Sequence, residues 1–163
     1  QIPLDGGKPR GYWQPGGTHS LQAVDVVNGR VWLASEDRGL LRKRGRKFEI
    51  FDRAAGLPSS WVVDVAALAD GGAIAATLRD GLVRLSAKGR VTPLPNAPDA
   101  WLLHVTRDDK ALWVGTQAGA AHFQDRKVEL LAHLPNPCVH VILRVESGVW
   151  AGTEGGLAFY AQS

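Results

Sequence analysis

Apolar and polar residues alternate along this chain in short runs, and the runs recur. Val31–Ser35 (VWLAS), Ala73–Thr77 (AIAAT), Leu112–Thr116 (LWVGT) and Val149–Thr153 (VWAGT) align with one another. Their second residues, Trp32, Ile74, Trp113 and Trp150, are 42, 39 and 37 positions apart. Alternation with a period of two, rich in branched and aromatic residues, predicts strands; the 3.6-residue spacing of an amphipathic helix is absent. A strand unit with a period near 40 is the mark of β-propeller blades.

Each repeat carries the same parts. An apolar inner strand comes first, over Leu21–Val27, Trp61–Leu68, Trp101–Thr106 or Val139–Val145. A tight polar turn follows (Asn28-Gly29, Asp70-Gly71-Gly72, Asp108-Asp109-Lys110, Ser147-Gly148). Asn-Gly and Asp-Gly take the positive backbone angles of two-residue hairpins, so the flanking strands pair antiparallel. After the Trp-type strand a glycine opens a third strand at Gly39, Gly81, Gly119 and Gly156. A fourth follows at Phe48–Phe51, Val91–Leu94 and Val128–Leu131, then a Pro-bearing linker. Four strands per repeat make one blade.

The expected architecture is therefore all-β, with at least 14 strands in four blades at about 18–58, 59–98, 99–137 and 138–163, all in a single propeller domain. The last repeat ends before a fourth strand. Tyr12 precedes Asp25 by the same 13 residues that separate Phe51 from Asp64, so Arg10–Gln14 is expected to complete the last blade. Pairing of terminal strands removes an exposed edge.

Composition fits this picture. The chain has 163 residues, with 45% hydrophobic and 21% charged, and its 19 Gly and 9 Pro disfavour helix. No apolar run approaches the ~20 residues that cross a bilayer as a helix, and no basic-then-apolar leader opens the chain. The sequence begins at Gln1 and has no Met, as a processed chain or a piece of a longer one would. Cys138 has no partner for an internal disulfide and reads as a structural thiol. Net charge is +3, yet Arg38–Lys47 alone holds six basic residues and no acid, so the basicity is one local patch. Such a run guards an outer hairpin against edge pairing, or else meets an anionic partner; nothing aromatic is interleaved to favour nucleic acid.

Leu112–Gly119, Val149–Leu157 and Phe48–Pro58 (FEIFDRAAGLP) carry a pattern of (D/N)-G-x-(L/V)-W-(V/A)-G-T-x-x-G-L followed by an aromatic strand and Gly-Leu-Pro. It resembles the two-component-regulator propeller repeat of periplasmic ligand-sensing domains, and the likeness spans nearly the whole chain. The second repeat departs from it, with Ile74 and Ala76 where Trp and Gly would stand. The resemblance implies a periplasmic or otherwise extracytoplasmic sensing module and a ring of more than four blades.

Two constellations are candidates for chemistry. Asp25, Asp64, His104 and His140 each sit between apolar residues on an inner strand (VDV, VDV, LHV, VHV). Taken as equivalent positions near the ring axis, they could hold Zn²⁺ or another divalent ion; the plainer alternative is hydrogen bonding to neighbouring backbone or within an Asp–His pair. No other cofactor is expected. Trp61 and Trp101 are also equivalent, and the nearby loops carry Glu36, Arg38, Arg79, Asp80, Gln117 and Glu154. Aromatic faces beside polar loops could stack on a sugar ring or other flat ligand; the alternative is that both rings pack between blades. Trp32, Trp113 and Trp150 read as blade core.

No hydrolase elbow, zinc-protease helix, phosphate loop or C-x-x-C is present. A non-enzymatic ligand-binding or sensing propeller is the leading reading. Its rivals are a propeller lyase or hydrolase using His19, Glu36, His104 and Glu154, and a protein-assembly scaffold. Small residues in the second and third strands (Ala75, Ala76, Gly115, Ala120, Ala121, Gly152, Ala158) favour closely packed sheets. They point to half of an eight-bladed ring, formed as a homodimer or with further blades of a longer parent.

Overall fold

The computed structural model describes residues 20–94, 101–107, 111–124 and 127–161. They form fifteen strands in four antiparallel sheets, each a meander in chain order. The first sheet holds β1 (Leu21–Val27), β2 (Arg30–Ser35), β3 (Gly39–Arg44) and β4 (Lys47–Phe51); the second β5 (Val62–Ala67), β6 (Ala73–Thr77), β7 (Leu82–Leu85) and β8 (Val91–Leu94). The third has β9 (Leu102–Arg107), β10 (Leu112–Thr116), β11 (Gly119–Gln124) and β12 (Lys127–Leu130); the last has β13 (Val139–Val145), β14 (Gly148–Thr153) and β15 (Gly156–Ala161). A 3-10 turn at Arg53–Ala55 is the one helical segment among the described residues, and no helix there is long and apolar enough to cross a membrane. Residues 10–14, expected to complete the last blade, lie outside the described residues, as does the turn at 108–110.

The repeated Thr at the end of the second strand has a local role. Thr77, Thr116 and Thr153 each donate Oγ1–H to the carbonyl of Gly81, Gly119 or Gly156 (2.7, 2.9 and 2.8 Å). Each Oγ1 also accepts an N–H from the turn, so one hydroxyl satisfies two backbone groups of the hairpin. Gly39, which opens β3, has φ of 75°, and a Cβ there would lie 2.3 Å from the Phe51 carbonyl oxygen. The repeat's glycine is a backbone requirement.

Every inner strand contains a bulge near its start. Leu21 pairs with Ser35 but Ala23 with Ala34; Val62 with Thr77 but Asp64 with Ala76; Leu102 with Thr116 but His104 with Gly115; Val139 with Thr153 but Val141 with Gly152. The extra residues are Gln22, Val63, Leu103 and His140. This register corrects the inner-strand alignment expected from sequence. Asp64 and His104 are equivalent, but their counterparts are Ala23 and Val141. Asp25 lies two residues further along, opposite Trp32, and His140 is a bulge residue. The cause is loop length: only Asn28 and Gly29 separate Val27 from Arg30, whereas residues 68–72 separate Ala67 from Ala73.

The core lies between sheets. Trp32, Ala34, Leu40 and Phe51 of the first pack on Val65, Ala75, Val83 and Leu85 of the second. Ala66, Ile74, Ala76 and Leu82 on the second sheet's other face meet Leu102, Val105 and Val114 of the third. Ala120 and Trp113 then meet Val139, Ile142 and Ala151 of the fourth. Small residues permit the approach: a Cβ on Gly115 would stand 2.6 Å from the Val139 carbonyl oxygen. Among the described residues the middle sheets are covered on both faces, and the outer two on one. Leu21, Val24 and Val26 are exposed on the first, and Val141, Leu143, Trp150, Leu157 and Phe159 on the fourth.

Two expectations change accordingly. Trp32 is fully buried, and Trp113, half-buried and stacked on His122, still packs against the fourth sheet, but Trp150 is 37% exposed against Phe159. The Trp station becomes core only where another sheet follows. The basic run is likewise divided. Arg42 is buried over the Trp32 and Phe51 rings (5.1 and 5.2 Å), paired with Glu49 at 2.7 Å and donating to the Ala87 carbonyl of the next blade. It belongs to the junction between the first two sheets and not to a solvated patch.

Candidate functional site

A cleft of about 360 Å³ runs along the inner strands, lined by Asp25, Asp64, His104 and Arg107 among others. Their side chains are engaged in joining blades. Asp25 accepts the Ala67 N–H (2.7 Å) and Asp64 the Val105 N–H (2.8 Å), each through Oδ2, while each Oδ1 accepts the next N–H of its own strand. His104 Nδ1 lies 2.8 Å from Asp64 Oδ2, and its Nε2 is 3.1 Å from the Ile142 carbonyl oxygen. Both ring nitrogens thus face oxygen atoms of neighbouring blades. Arg107 donates to the Ala67 carbonyl. Asp25, Asp64 and His104 each reach one residue beyond their own equivalent on the following blade, whereas Arg107 reaches back to its equivalent on the preceding one. Asp25, Asp64, His104 and His140 are not gathered into one ligand set, because His140 stands in a bulge at the strand's edge.

That edge forms a rim with a repeated hydrogen bond. The N–H of the residue after each second strand, Glu36, Leu78, Gln117 or Glu154, donates to the carbonyl just before each inner strand, at Ser20, Trp61, Trp101 or Cys138. Trp61 and Trp101 are therefore structurally equivalent, and the equivalence extends to Ser20 and Cys138. Trp61 is exposed; Trp101 is half-buried, with the Arg79 guanidinium 4.4 Å from its ring centroid. Arg38, Asp80 and Gln117 occupy the same turns, Asp80 and Gln117 exposed and Arg38 half-buried. Glu36 accepts from Gln22 Nε2 at 3.3 Å.

At the fourth blade the rim holds Cys138, His140 and Glu154, whose ligand atoms all lie within 4.8 Å of one another. Among the described residues this is the group of three such side chains that comes together, and Cys138 was absent from the sequence-derived candidates. The signal was available in the spacing, since Cys138 precedes Glu154 by the 16 residues that separate Trp101 from Gln117. Burial pushes the Cys138 thiol pKa up, and the Glu154 carboxylate beside it adds to the shift.

A scan of protein-family models matches none, and no curated protein sequence matches the chain. Solved structures do match. The extracellular domain of a hybrid two-component system of B. thetaiotaomicron is 24% identical, with a TM-score of 0.72 over 86% of this chain and 22% of that one. A second such domain from the same organism is 18% identical, with a TM-score of 0.75 over 91% of this chain and 21% of that one. The fold is that of propeller blades. The computationally designed Ika4 protein, 10% identical, matches with a TM-score of 0.72 over 96% of this chain and 100% of its own. The chain spans about a fifth of the length of those two extracellular domains.

The residues named for a lyase or hydrolase are dispersed. His104 is tied to Asp64 and Ile142, Glu36 contacts Gln22 on the first blade, and Glu154 contacts His140 on the fourth. His19 lies outside the described residues.

Proposed function

We propose that this chain is a non-enzymatic sensing or interaction segment of an extracytoplasmic β-propeller that takes a small ligand or glycan on its rim. The observation that carries the reading is the equivalent placement of Trp61 and Trp101 on one rim, one exposed and the other under Arg79, with Glu36, Arg38, Asp80, Gln117 and Glu154 spread along the turns of that rim from the first blade to the fourth. Exposed indole faces offer apolar stacking, and guanidinium and carboxylate groups around them supply orientation. The likeness in fold to extracellular domains of two-component systems supports an extracytoplasmic, periplasmic or cell-surface setting. The lyase or hydrolase alternative has less support, because Glu36, His104 and Glu154 stand on three different blades, each with its own partner.

The same reading includes assembly. The uncovered face of the fourth sheet, with Trp150, Leu157 and Phe159, corresponds to the faces by which earlier sheets grip the next one. The uncovered face of the first sheet, with Val24 and Val26, corresponds to the faces that are gripped. Two copies joined through these faces, as a homodimeric eight-bladed ring, or further blades of a longer parent, would cover both.

Titration of the chain with a panel of oligosaccharides, followed by tryptophan fluorescence, tests the rim. At least one should change the emission, and Trp61→Ala should weaken that binding by about tenfold, the ~1.4 kcal/mol that a stacked ring supplies. Binding equal in the variant, or to no member of the panel, would remove the glycan reading.

A further inference from the structure

We infer that Cys138, His140 and Glu154 form a Zn²⁺ site, with Cys138 Sγ, His140 Nε2 and a Glu154 carboxylate oxygen as ligands and a fourth position open to water. Cys138 Sγ and His140 Nε2 are 3.6 Å apart, and His140 Nε2 and Glu154 Oε1 are 3.5 Å apart. A tetrahedral zinc ion holds nitrogen and oxygen at about 2.0–2.2 Å and sulfur at about 2.3 Å, which separates neighbouring ligand atoms by roughly 3.4–3.6 Å. These two separations match that geometry, and the third pair, Cys138 Sγ and the Glu154 oxygen, lies within 4.8 Å. Mixed sulfur, nitrogen and oxygen donors suit zinc, whereas magnesium and calcium take oxygen alone.

The frame that holds these side chains is set by the backbone. The Cys138 N–H donates to Asn136 Oδ1 at 2.8 Å, and the Cys138 carbonyl accepts the Glu154 N–H at 3.2 Å. Thr153 fixes the turn that carries Glu154, and the bulge sets His140 beside Cys138. The first blade shows independently that these three stations converge: its occupants there are Ser20, Gln22 and Glu36, and Gln22 Nε2 donates to both Ser20 Oγ (2.8 Å) and Glu36 Oε2 (3.3 Å). The second and third blades place Trp, Val or Leu, and Leu or Gln at the same stations. Only the fourth blade sets a thiol, an imidazole and a carboxylate there, so the donor set does not follow from the repeat. His140 and Glu154 are exposed, leaving a path for the ion.

The test uses the full 163-residue chain, reduced and stripped of metal by a chelator, then titrated with Zn²⁺ against a chromophoric competitor and separately with Co²⁺ as a spectroscopic probe. The expected result is uptake of one ion per chain, with a near-ultraviolet sulfur-to-cobalt charge-transfer band and the intense visible bands of tetrahedral Co²⁺. Cys138→Ser should abolish the charge-transfer band, and His140→Ala and Glu154→Gln should each weaken Zn²⁺ binding by about tenfold or more. His140 and Glu154 are exposed, so these two variants keep the test valid if Cys138→Ser fails to fold. Absence of stoichiometric uptake, or uptake undiminished in both His140→Ala and Glu154→Gln, overturns the assignment. No rim ligand is needed, so failure here and failure of the sensing reading are separate outcomes.

Discussion

Leu82 and Leu157 occupy the same place in the repeat, each opposite the small residue of its second strand, Ala76 or Gly152. Leu82 is 1% exposed and Leu157 is 63% exposed. Their sequence contexts do not differ enough to account for this; what differs is the sheet in front. The second blade faces the third, while the fourth presents Val141, Leu143, Trp150, Leu157 and Phe159 to solvent among the described residues. Hydrophobic alternation therefore specifies which faces can be buried, and the neighbouring blade decides whether they are. A contiguous apolar face of this kind marks an interaction surface on a soluble protein. The junctions differ chemically as well: Asp64 and His104 hold the next blade by hydrogen bonds, whereas the equivalent Val141 offers contact by shape alone.

The sharpest way to break this comparison is to truncate both leucines. Leu82→Ala should cost about 2–5 kcal/mol in urea unfolding, because it opens a cavity between two sheets. Leu157→Ala should cost under ~1 kcal/mol in a monomer, since its side chain is already in water. Light scattering on the same samples reads the assembly. A species near twice the 17.5 kDa chain mass, lost in Phe159→Glu, would show the fourth sheet covered by a second copy. A stable monomer in which Leu157→Ala costs as much as Leu82→Ala would instead sink the description of that face as open.

Most of the fold was legible because its determinants are local. Ala73–Thr77, Leu112–Thr116, Leu21–Val27 and Val139–Val145 are strands over the residues that alternation marks out. The Thr and Gly of each second hairpin act through contacts within a few residues. The site was less legible, since equivalence across blades depends on loop length and on a bulge, neither of which alternation records. Counting along the inner strands aligned Asp25 and His140 with Asp64 and His104; pairing places them two residues late and one residue early. The same bulge brings His140 to Cys138 and Glu154, a grouping that alternation along the inner strand does not reveal. Arg42 was read with its basic neighbours because its burial comes from the second blade, through Ala87.

The polar clips allow a second, smaller test. Asp64→Ala leaves the Val105 N–H and His104 without their acceptor at a half-buried junction, a loss of about 1–3 kcal/mol. The equivalent Val141→Ala in the fourth blade removes exposed methyl groups and should cost under ~1 kcal/mol. Urea unfolding of the two variants should rank them in that order. Equal costs would mean that the hydrogen bonds between the second and third blades add nothing beyond what apolar contact supplies at the fourth.

The smallest expected effect concerns the tryptophan stations of the first and fourth blades. Arg42 lies opposite Trp32 and over its ring, while Phe159 lies opposite Trp150, so one blade backs its tryptophan with a cation and the other with an aromatic ring. Only the first arrangement depends on a titrating group. The hydrogen bond from Arg42 holds the Glu49 pKa below the usual glutamate value, with burial opposing it and Arg44 adding to it. A carboxylate whose pKa is lower folded than unfolded contributes stability that is present above its unfolded pKa and lost as pH falls through the folded one. Glu49 is 43% exposed, so solvent screening limits the contribution to roughly 0.5 kcal/mol. Glu49→Gln should therefore be slightly less stable than the parent at neutral pH, and the gap should close in acid, once the folded-state carboxyl with its lowered pKa is protonated. Urea unfolding at the two pH values measures it. A gap that persists in acid would mean that Glu49 acts through shape and neutral hydrogen bonding, and that the first blade's cation is held by Ala87 and the two rings instead.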